Sequence, residues 1–409
     1  MAFTTLHHHI DLDWMLTAWT LTRKDGAAGV DGVAAGDYET ELEANLMDLL
    51  NRIKSGTYRA PPVRRRYIPK ADGTYRPLGI PTLEDKVAQR AIVMILEPIY
   101  EEDFLPCSYG FRPDRSAHNA LSDLRDGLAV EGLRWVLDAD VKAYFDTIEH
   151  RRLREFLDLR IKDGVIRRMI DKWLKAGVLD SGVLQRSKTG TPQGGVVSPI
   201  LSNIFLHYVL DKWMMETVQS RVGAFRLVRY ADDFVIALKN RRDGERVLVA
   251  LSARLAKYGL ALHPTKTRYV DFRPKAGGHD TQNRFDFLGF THIWGKSRKG
   301  RWVVRQFTAK DRFARAVKKV WEWCKTHRHM PIGDQCRYLT AVIRGHCAYY
   351  GLTGNGKRLS AFRDAVVRSW RRWLGRRHRD GRISWNRFKT IFKLFPLPQA
   401  TVTRSIYTA

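Results

Sequence analysis

The sequence has few cysteines and no long hydrophobic run. No apolar stretch in its 409 residues approaches the roughly 18 residues that span a bilayer. The N-terminus shows no basic segment followed by a long apolar one, so we find no secretory signal. The four cysteines include no closely spaced pair, which argues against a zinc ribbon or knuckle and for free thiols. We therefore expect a cytoplasmic protein, in a bacterial-type cytosol or nucleoid, with no membrane partner.

Acidic residues are scarce in the last part of the chain. The whole chain has 71 Lys and Arg against 43 Asp and Glu, a net charge of +28. Residues 291–409 hold 28 of these basic residues, only 5 acidic ones, and seven of the twelve tryptophans. Basic residues mixed with aromatics suit phosphate contact and base stacking, so we expect a nucleic-acid partner. The alternative is a helical domain whose arginines only face solvent.

The pattern of apolar residues predicts mixed α and β structure followed by helices. Strand-type alternation and turn residues predict a hairpin over 67–81, a second hairpin over RLVRYADDFVIAL and one strand over 285–294. Helical spacing predicts helices over 36–55, 83–100, 116–128, 198–214 and 241–260, and throughout from about 307. In 133–157 a strand gives way to a helix, and the Asp146–Glu149 spacing favours Asp146 as a helix cap over a metal ligand.

One C-terminal helix has an apolar face and a basic face. AFRDAVVRSWRRWLGRRH, residues 361–378, has apolar residues at helical spacing: Phe362, Val366, Trp370, Trp373 and Leu374. Four arginines, which are candidates for nucleic-acid binding, fall largely elsewhere on the helix: Arg363, Arg368, Arg371 and Arg372.

Two adjacent aspartates, Asp232 and Asp233, interrupt the apolar segment RYADDFVIAL. Carboxylates near apolar surroundings repel each other and lose hydration, so a cation is needed to stabilise them. Upstream, DADVKAYF supplies Asp138 and Asp140, which lie on one face of a strand by period-2 counting. Hard oxygen ligands favour Mg²⁺, which also binds substrate phosphates. Two such ions, about 4 Å apart, serve phosphoryl transfer.

These motifs resemble the palm of reverse transcriptases. In that family an aspartate stands five residues before an aromatic ring and far upstream of Tyr-x-Asp-Asp, which here selects Asp140 with Phe145 over Asp138. Further motifs occur along the chain in the order that the family shows: IPKADGTYRPLGIP, SYGFRPDRSAH, TPQGGVVSPILSN, LHPTKT and FDFLGF. The resemblance covers roughly residues 30–290. It implies an α+β right-hand polymerase, with fingers and an antiparallel palm sheet, followed by an all-helical thumb or maturase domain.

The resemblance also implies a role for each matching residue. Asp140 and Asp232 would bind two Mg²⁺ ions together with the Val141 carbonyl, Asp233 acting less directly, and Mn²⁺ would be able to replace Mg²⁺. Phe145 would lie under the nucleotide sugar and exclude a 2′-hydroxyl. The rest of the nucleotide would be contacted by Lys70, Arg76, Gln193, Gly194 and Lys266. Structural alternatives stay open: Phe145 as a core aromatic, the hairpin cations as solvated, and Lys266 in a salt bridge.

Within reverse transcriptases, QGGVVSP and the segment 344–374 resemble the group II intron-encoded type and its maturase region. This implies an RNA-directed DNA polymerase that binds intron RNA, an RNA template, a DNA primer or target and dNTPs, and that assists splicing and retrohoming. The paired cysteines of an HNH endonuclease are missing, so an endonuclease-less member is expected. The expected domains are an N-terminal extension (1–30), fingers and palm (31–295), thumb (296–375) and a short basic tail (376–409). Two alternatives stay open: a domesticated relative in phage defence, repair or CRISPR adaptation, and a mainly RNA-binding maturase.

Overall fold

The computed structural model describes residues 1–69, 73–180, 183–185, 189–190, 194–274, 283–297, 299–377, 381 and 383–405. The helices before residue 260 are α1 Leu12–Leu21, α2 Ala35–Glu39, α3 Leu42–Ser55, α4 Leu83–Glu101, α5 Ala117–Ala129, α6 Tyr144–Thr147, α7 His150–Leu157, α8 Gly164–Lys175, α9 Ser198–Leu206 and α10 Arg241–Ala256. The later helices are α11 Lys310–Thr326, α12 Ile332–Tyr350, α13 Gly356–Leu374 and α14 Trp385–Leu394. None of the helices in these ranges is both long and apolar enough to cross a membrane.

The strands in the described part of the chain form three sheets. They are β1 Val63–Pro69, β2 Tyr75–Ile80, β3 Trp135–Asp140, β4 Val178–Asp180, β5 Val183–Gln185, β6 Phe225–Tyr230, β7 Asp233–Leu238, β8 Arg268–Asp271, β9 Phe285–Phe287, β10 Phe290–Lys296 and β11 Trp302–Thr308. The strand orders are β2-β1-β4-β5, β6-β7-β3-β8 and β11-β10-β9. In the first sheet β1 pairs antiparallel with β2 and parallel with β4, and in the second β6 and β7 form an antiparallel hairpin. The predicted α+β class with a helical C-terminal region is confirmed.

The first compact unit comprises Met1–Leu124 and Leu137–Tyr269. Its α4 is buried along most of its length, with Ala88, Ile92 and Leu96 fully inaccessible. From α9 the helix continues through two π-helical stretches, which together span His207–Val218 with only two intervening residues. This helix and the fully buried residues 234–238 of strand β7 form the part of the core that lies below the candidate site.

The second unit comprises Arg125–Val136 and the chain from Val270 onward. Its helices α11, α12 and α13 share one apolar core. All five apolar residues predicted on one face of α13 are buried, as the helical spacing required. Phe388 of α14 and Leu397 also enter this core, so the described part of the basic tail packs with the helices. The domain limits inferred from the family resemblance stay predictions.

Three local predictions need correction. The segment 36–55 forms two helices, α2 and α3. The predicted strand over 285–294 is a hairpin, because the chain reverses at Leu288 and Gly289, which both have positive φ (50° and 79°). Asp146 is not the predicted cap: it lies inside α6, and α7 begins after Glu149 without a side-chain cap. The helix breaks there because the Ile148 carbonyl accepts a hydrogen bond from the Gly190 backbone N–H (2.8 Å).

A buried carboxylate, Asp85, ties together several segments of the first unit. The Tyr58 hydroxyl and Trp173 Nε1 (2.6 Å) both donate to Asp85 Oδ1, and Gln89 Nε2 donates to Asp85 Oδ2 at 2.9 Å. The Oε1 of Gln89 accepts the backbone N–H of Val197 at 3.1 Å. The network therefore connects α4 and α8 to the loop that precedes α9. Burial raises the pKa of Asp85 to about 6 despite its three donors.

This raised pKa predicts how stability depends on pH. An unfolded aspartate titrates near pH 3.9, so the native state holds the Asp85 proton more tightly than the unfolded chain. The free energy of unfolding should therefore fall as pH rises from about 4 to about 6, by roughly 2 to 3 kcal/mol from this group. The Asp85→Asn variant has no proton to lose, so urea unfolding across this range should show the fall only in the wild type. The charge of Glu84 acts in the same direction as burial and is present in both proteins.

An exposed aspartate, Asp13→Asn, provides the control for the change in net charge. Stability curves of wild type and Asp85→Asn that stay parallel between pH 4 and 7 would contradict the raised pKa.

Candidate active site

The paired aspartates lie at the turn between β6 and β7. Tyr230 and Asp233 are paired across the hairpin, which leaves Ala231 and Asp232 as the two turn residues. Ala231 has a positive φ of 57°, a conformation that costs a non-glycine residue energy. Asp232 is half-buried and Asp233 is exposed, while the next residue, Phe234, is fully buried. The turn thus presents two carboxylates at the end of a strand whose remainder is anchored in the core.

Asp140 lies at the end of β3, the strand next to β7 in the sheet. Burial raises the pKa of Asp232, and the negative charge of Asp140 raises it further. The positive charges of Arg76 and Arg229 act in the opposite direction. The structure therefore brings Asp140 and Asp232 within electrostatic reach of each other, with cationic side chains near them.

The loop after Leu260 is fastened to the end of β3. The Lys142 N–H donates to the Ala261 carbonyl at 2.9 Å, and the His263 N–H donates to the Asp140 carbonyl at 2.7 Å. Lys266 Nζ lies 2.8 Å from Asp140 Oδ2. The sequence left two roles open for Lys266, near the phosphates or in a salt bridge. The structure contains a salt bridge, with a carboxylate of the candidate site as the partner, and the phosphate role stays a prediction. Both side chains are partly exposed, so we expect little stability from the salt bridge.

Phe145 is a partly accessible ring, and Gly194 lies in a loop that packs closely against β2. Phe145 is half-buried in α6, beside the fully buried Tyr144. It is therefore neither a plain core residue nor a free surface ring. Gly194 has a φ of 114°, and a Cβ there would overlap the carbonyl oxygen of Gly79 in β2. Only glycine allows the loop to lie this close to β2.

The remaining nucleotide-binding candidates lie on or near the β1–β2 hairpin and the loop before α9. Arg76 is exposed on β2, paired with Ile68 across the hairpin. Lys70 and Gln193 lie outside the described residues. Val141 is buried next to Asp140 and forms a bridge with Leu262.

The carboxylates can be tested for fit to a divalent metal. Within the described ranges, no group of three or more His, Cys, Asp or Glu side chains is close enough to hold a metal ion. Asp140 and Asp232, however, supply hard oxygen donors whose mutual repulsion a divalent cation would relieve. The two carboxylates therefore fit a site that is completed by oxygens of a bound substrate.

Sequence reasoning missed a buried ion pair below the turn. Arg229 of β6 and Asp211 of the helix that follows α9 are both 0% exposed and form a two-pronged pair. The available signal was the presence of one charged residue in each of two strongly apolar segments. Nothing in the local pattern indicated that the two residues are partners.

The four arginine candidates of α13 differ in their surroundings. Arg363 Nε donates to the Pro398 carbonyl at 2.9 Å, and an Nη of Arg371 donates to the Ile383 carbonyl at 3.2 Å. Both are half-buried, whereas Arg368 and Arg372 are exposed. The exposed pair is the more accessible to a partner, although the Arg372 guanidinium lies 5.3 Å from the centroid of the Trp321 ring.

Comparison with known proteins agrees with this geometry. Residues 68–292 match the family described as reverse transcriptase (RNA-dependent DNA polymerase), and residues 313–391 match the group II intron, maturase-specific domain. The chain is 38% identical to Protein YkfC of Escherichia coli (strain K12) over 262 residues, which cover 56% of this chain and 69% of YkfC. It is 28% identical to the group II intron-encoded protein LtrA of Lactococcus lactis subsp. cremoris over 474 residues, covering 94% of this chain and 78% of LtrA.

The first of these family matches spans more than half of the sequence and contains the sheet and the turn that present Asp140 and Asp232. Members of that family depend on divalent metal ions. The chain belongs to the reverse transcriptases, the RNA-dependent DNA polymerases, and carries a group II intron maturase-specific domain in its helical part.

Proposed function

We propose that this RNA-directed DNA polymerase copies RNA into DNA from dNTPs with two Mg²⁺ ions, and binds group II intron RNA through its helical part to assist splicing and retrohoming. The observation that carries the polymerase proposal is the convergence of Asp140 and Asp232 at the ends of neighbouring strands. For the RNA partner, the support is the maturase-domain match together with the basic charge of residues 291–409.

The residues of the chain have distinct tasks in this mechanism. Asp140 and Asp232 would hold the ions, with the Val141 carbonyl as a further ligand and Asp233 as a more distant negative charge. When bound, the ions would activate the primer 3′-hydroxyl and stabilise the leaving pyrophosphate. The ammonium group of Lys266, 2.8 Å from Asp140 Oδ2, would donate a proton to pyrophosphate.

The nucleotide would lie between the hairpin and the α6 region. Arg76 and Lys70 would bind its triphosphate, since the planar guanidinium matches two phosphate oxygens. Gln193 and the backbone of Gly194 would face the nucleotide. Phe145 would lie beneath the sugar, where a ring leaves no room for a 2′-hydroxyl.

The partners proposed for this chain follow from its relatives. LtrA is a group II intron-encoded protein, and the chain covers 78% of it. We accordingly propose intron RNA, an RNA template and a DNA primer or target as partners of this chain. The exposed arginines Arg368 and Arg372 are candidates for contacts with the RNA phosphates.

One prediction of this proposal tests whether the carboxylates of Asp140 and Asp232 are required for polymerisation. Asp232→Ala and Asp140→Ala should each lower primer extension on an RNA template with Mg²⁺ by about 10³-fold, because charge stabilisation in phosphoryl transfer is lost. Asp138→Ala is the matched control, since Asp138 lies on the same strand but pairs with Arg268 at 3.0 Å. It should keep most of the activity. Near-normal extension by Asp232→Ala, or an equal loss in Asp138→Ala, would contradict the assignment.

The second prediction concerns the choice of sugar. Phe145→Ala should raise kcat/KM for GTP relative to dGTP by at least about 10-fold, because contacts at the edge of the sugar set this discrimination. Phe156→Ala is the control: Phe156 is a half-buried ring that packs against Phe205 and Tyr208. It should leave the ratio unchanged. An unchanged ratio in Phe145→Ala would place the sugar discrimination elsewhere.

The third prediction concerns RNA binding by α13. Arg368→Gln with Arg372→Gln keeps helix propensity and removes two exposed charges. If both contact phosphates, affinity for structured intron RNA should fall, and the slope of log K against log salt should become shallower by about one to two units. Primer extension with abundant template should persist.

The same charge loss at Arg242 of α10 and at Lys257, which directly follows that helix, is the control for net charge: Arg242→Gln with Lys257→Gln removes two exposed charges. Equal effects from both double variants would indicate long-range attraction and not contact by α13.

A further inference from the structure

Arg229 is a fully buried cation directly below the candidate metal-binding turn. Its Nε donates to Asp211 Oδ1 at 2.8 Å and its Nη2 to Asp211 Oδ2 at 2.5 Å. Both side chains are 0% exposed. Two charges without any water contact require that all donors be satisfied, and the guanidinium still has one nitrogen to place.

That remaining nitrogen is directed at the turn. Arg229 Nη1 donates to the Ala231 carbonyl at 3.0 Å and to Asn203 Oδ1 at 2.8 Å. The Ala231 carbonyl belongs to the peptide unit that continues into Asp232. The guanidinium therefore holds the backbone on which the Asp232 carboxylate is mounted, and Asp211 fixes the orientation of the guanidinium.

The other side of the turn is closed by the segment around Gly110. Asn203 Nδ2 donates to the Gly110 carbonyl at 2.7 Å. A Cβ on Gly110 would overlap the backbone nitrogen of Ala231, so this segment lies directly against the turn. Strand β6 is also held by this segment through two backbone hydrogen bonds of 2.8 Å. The Arg229 carbonyl accepts from the Tyr109 N–H, and the Arg229 backbone N–H donates to the Cys107 carbonyl.

A contribution to folding stability does not by itself explain why a buried ion pair, Arg229 with Asp211, lies below the turn. A well-packed apolar pair of similar volume usually stabilises a core as well as a buried ion pair does, or better. An apolar pair, however, offers no donor to the Ala231 carbonyl and no positive charge near Asp232. Arginine provides the groups that reach the turn. Two nitrogens of its rigid guanidinium bind Asp211, while the third binds Ala231 and Asn203.

We propose that Arg229 is a positioning residue of the polymerase reaction, oriented by Asp211 and Asn203, which fixes the Ala231–Asp232 turn so that Asp232 meets Asp140 at the distance a divalent ion requires. The inference rests on the proposed metal-binding role of Asp232. Loss of the guanidinium therefore acts on metal binding and turnover, and leaves the binding of RNA and of the nucleotide base largely unchanged.

The main test compares three full-length variants with the wild type. Arg229→Lys keeps the charge and loses the fork, Arg229→Met with Asp211→Leu replaces the pair by apolar side chains, and Asn203→Ala removes one orienting partner. Mn²⁺ binding is measured directly by electron paramagnetic resonance titration, alongside kcat and KM for dNTP and the melting temperature. Residues that orient metal ligands are worth about 10- to 100-fold in affinity or activity.

We expect Arg229→Lys and the apolar double variant to bind Mn²⁺ about 10-fold more weakly, with kcat lowered about 10- to 100-fold and KM for dNTP within about 3-fold. The double variant should melt near the wild-type temperature, which separates positioning from folding. Arg52→Lys is the control for loss of a guanidinium fork, since Arg52 forms a two-pronged, partly exposed pair with Glu84 between α3 and α4 (3.1 and 2.8 Å). It should leave Mn²⁺ affinity and kcat unchanged.

Asp232→Ala measured in the same titration distinguishes the two ways of failing. If Asp232→Ala keeps the Mn²⁺ affinity of the wild type, the proposed metal site itself is wrong. If Asp232→Ala loses Mn²⁺ while the folded Arg229 variants keep wild-type affinity and kcat, Arg229 is only structural and the positioning proposal is overturned. Should both Arg229 variants unfold, Asn203→Ala decides: normal Mn²⁺ affinity and kcat in this variant would overturn the proposal.

Discussion

The repulsion between Asp140 and Asp232 is the constraint that the polymerase half of this chain is built to withstand. Burial raises the pKa of Asp232, and the negative charge of Asp140 raises it further. On a flexible turn, this repulsion would move one carboxylate into solvent. The sheet prevents this, because it fixes Asp140 at the end of β3 and anchors the turn between two strands of the core.

The cations near these carboxylates fall into two classes with different consequences. Lys266 is exposed and held by one salt bridge, so it can exchange its partner at little cost. Arg229 has no such freedom, since it is fully buried and all of its nitrogens are engaged. Removing one member of a buried pair typically costs about 3 to 5 kcal/mol, a large share of the roughly 5 to 15 kcal/mol that stabilise a domain. The geometry of the turn is thus coupled to the stability of the first unit.

The sequence predicted local secondary structure well, but it did not predict which distant residues form contacts. Period-2 alternation located the β6–β7 hairpin, and helical spacing selected five α13 residues that are all buried. The sequence pattern could not show that Arg229 and Asp211 form a pair. Alternation predicts which face of a strand a residue lies on, but it does not predict a partner 18 positions away on a helix. The reversal at Leu288 and Gly289 had one sequence signal, the glycine, but leucine rarely adopts positive φ and so gave no indication of a turn. The capping pattern at Asp146 failed because the Ile148 carbonyl bonds to Gly190, a contact 42 positions along the chain.

The same limit applies to charge. A net excess of basic residues after residue 290 predicts a polyanionic partner, but it does not say which guanidinium groups are available to that partner. In α13, Arg363 and Arg371 donate to carbonyls of the segment that folds back over the helix, and Arg371 also lies 3.8 Å above the ring of Trp385. Arginine there does the work of a packing residue, with an aliphatic stem and a planar group that stacks on an aromatic ring. Positive charge in this half of the molecule therefore has two origins, the assembly of the helical core and the attraction of a nucleic acid. Arg368 and Arg372 stay exposed, yet the Arg372 guanidinium also lies 5.3 Å from the centroid of the Trp321 ring, so even an exposed arginine of this helix can take part in packing.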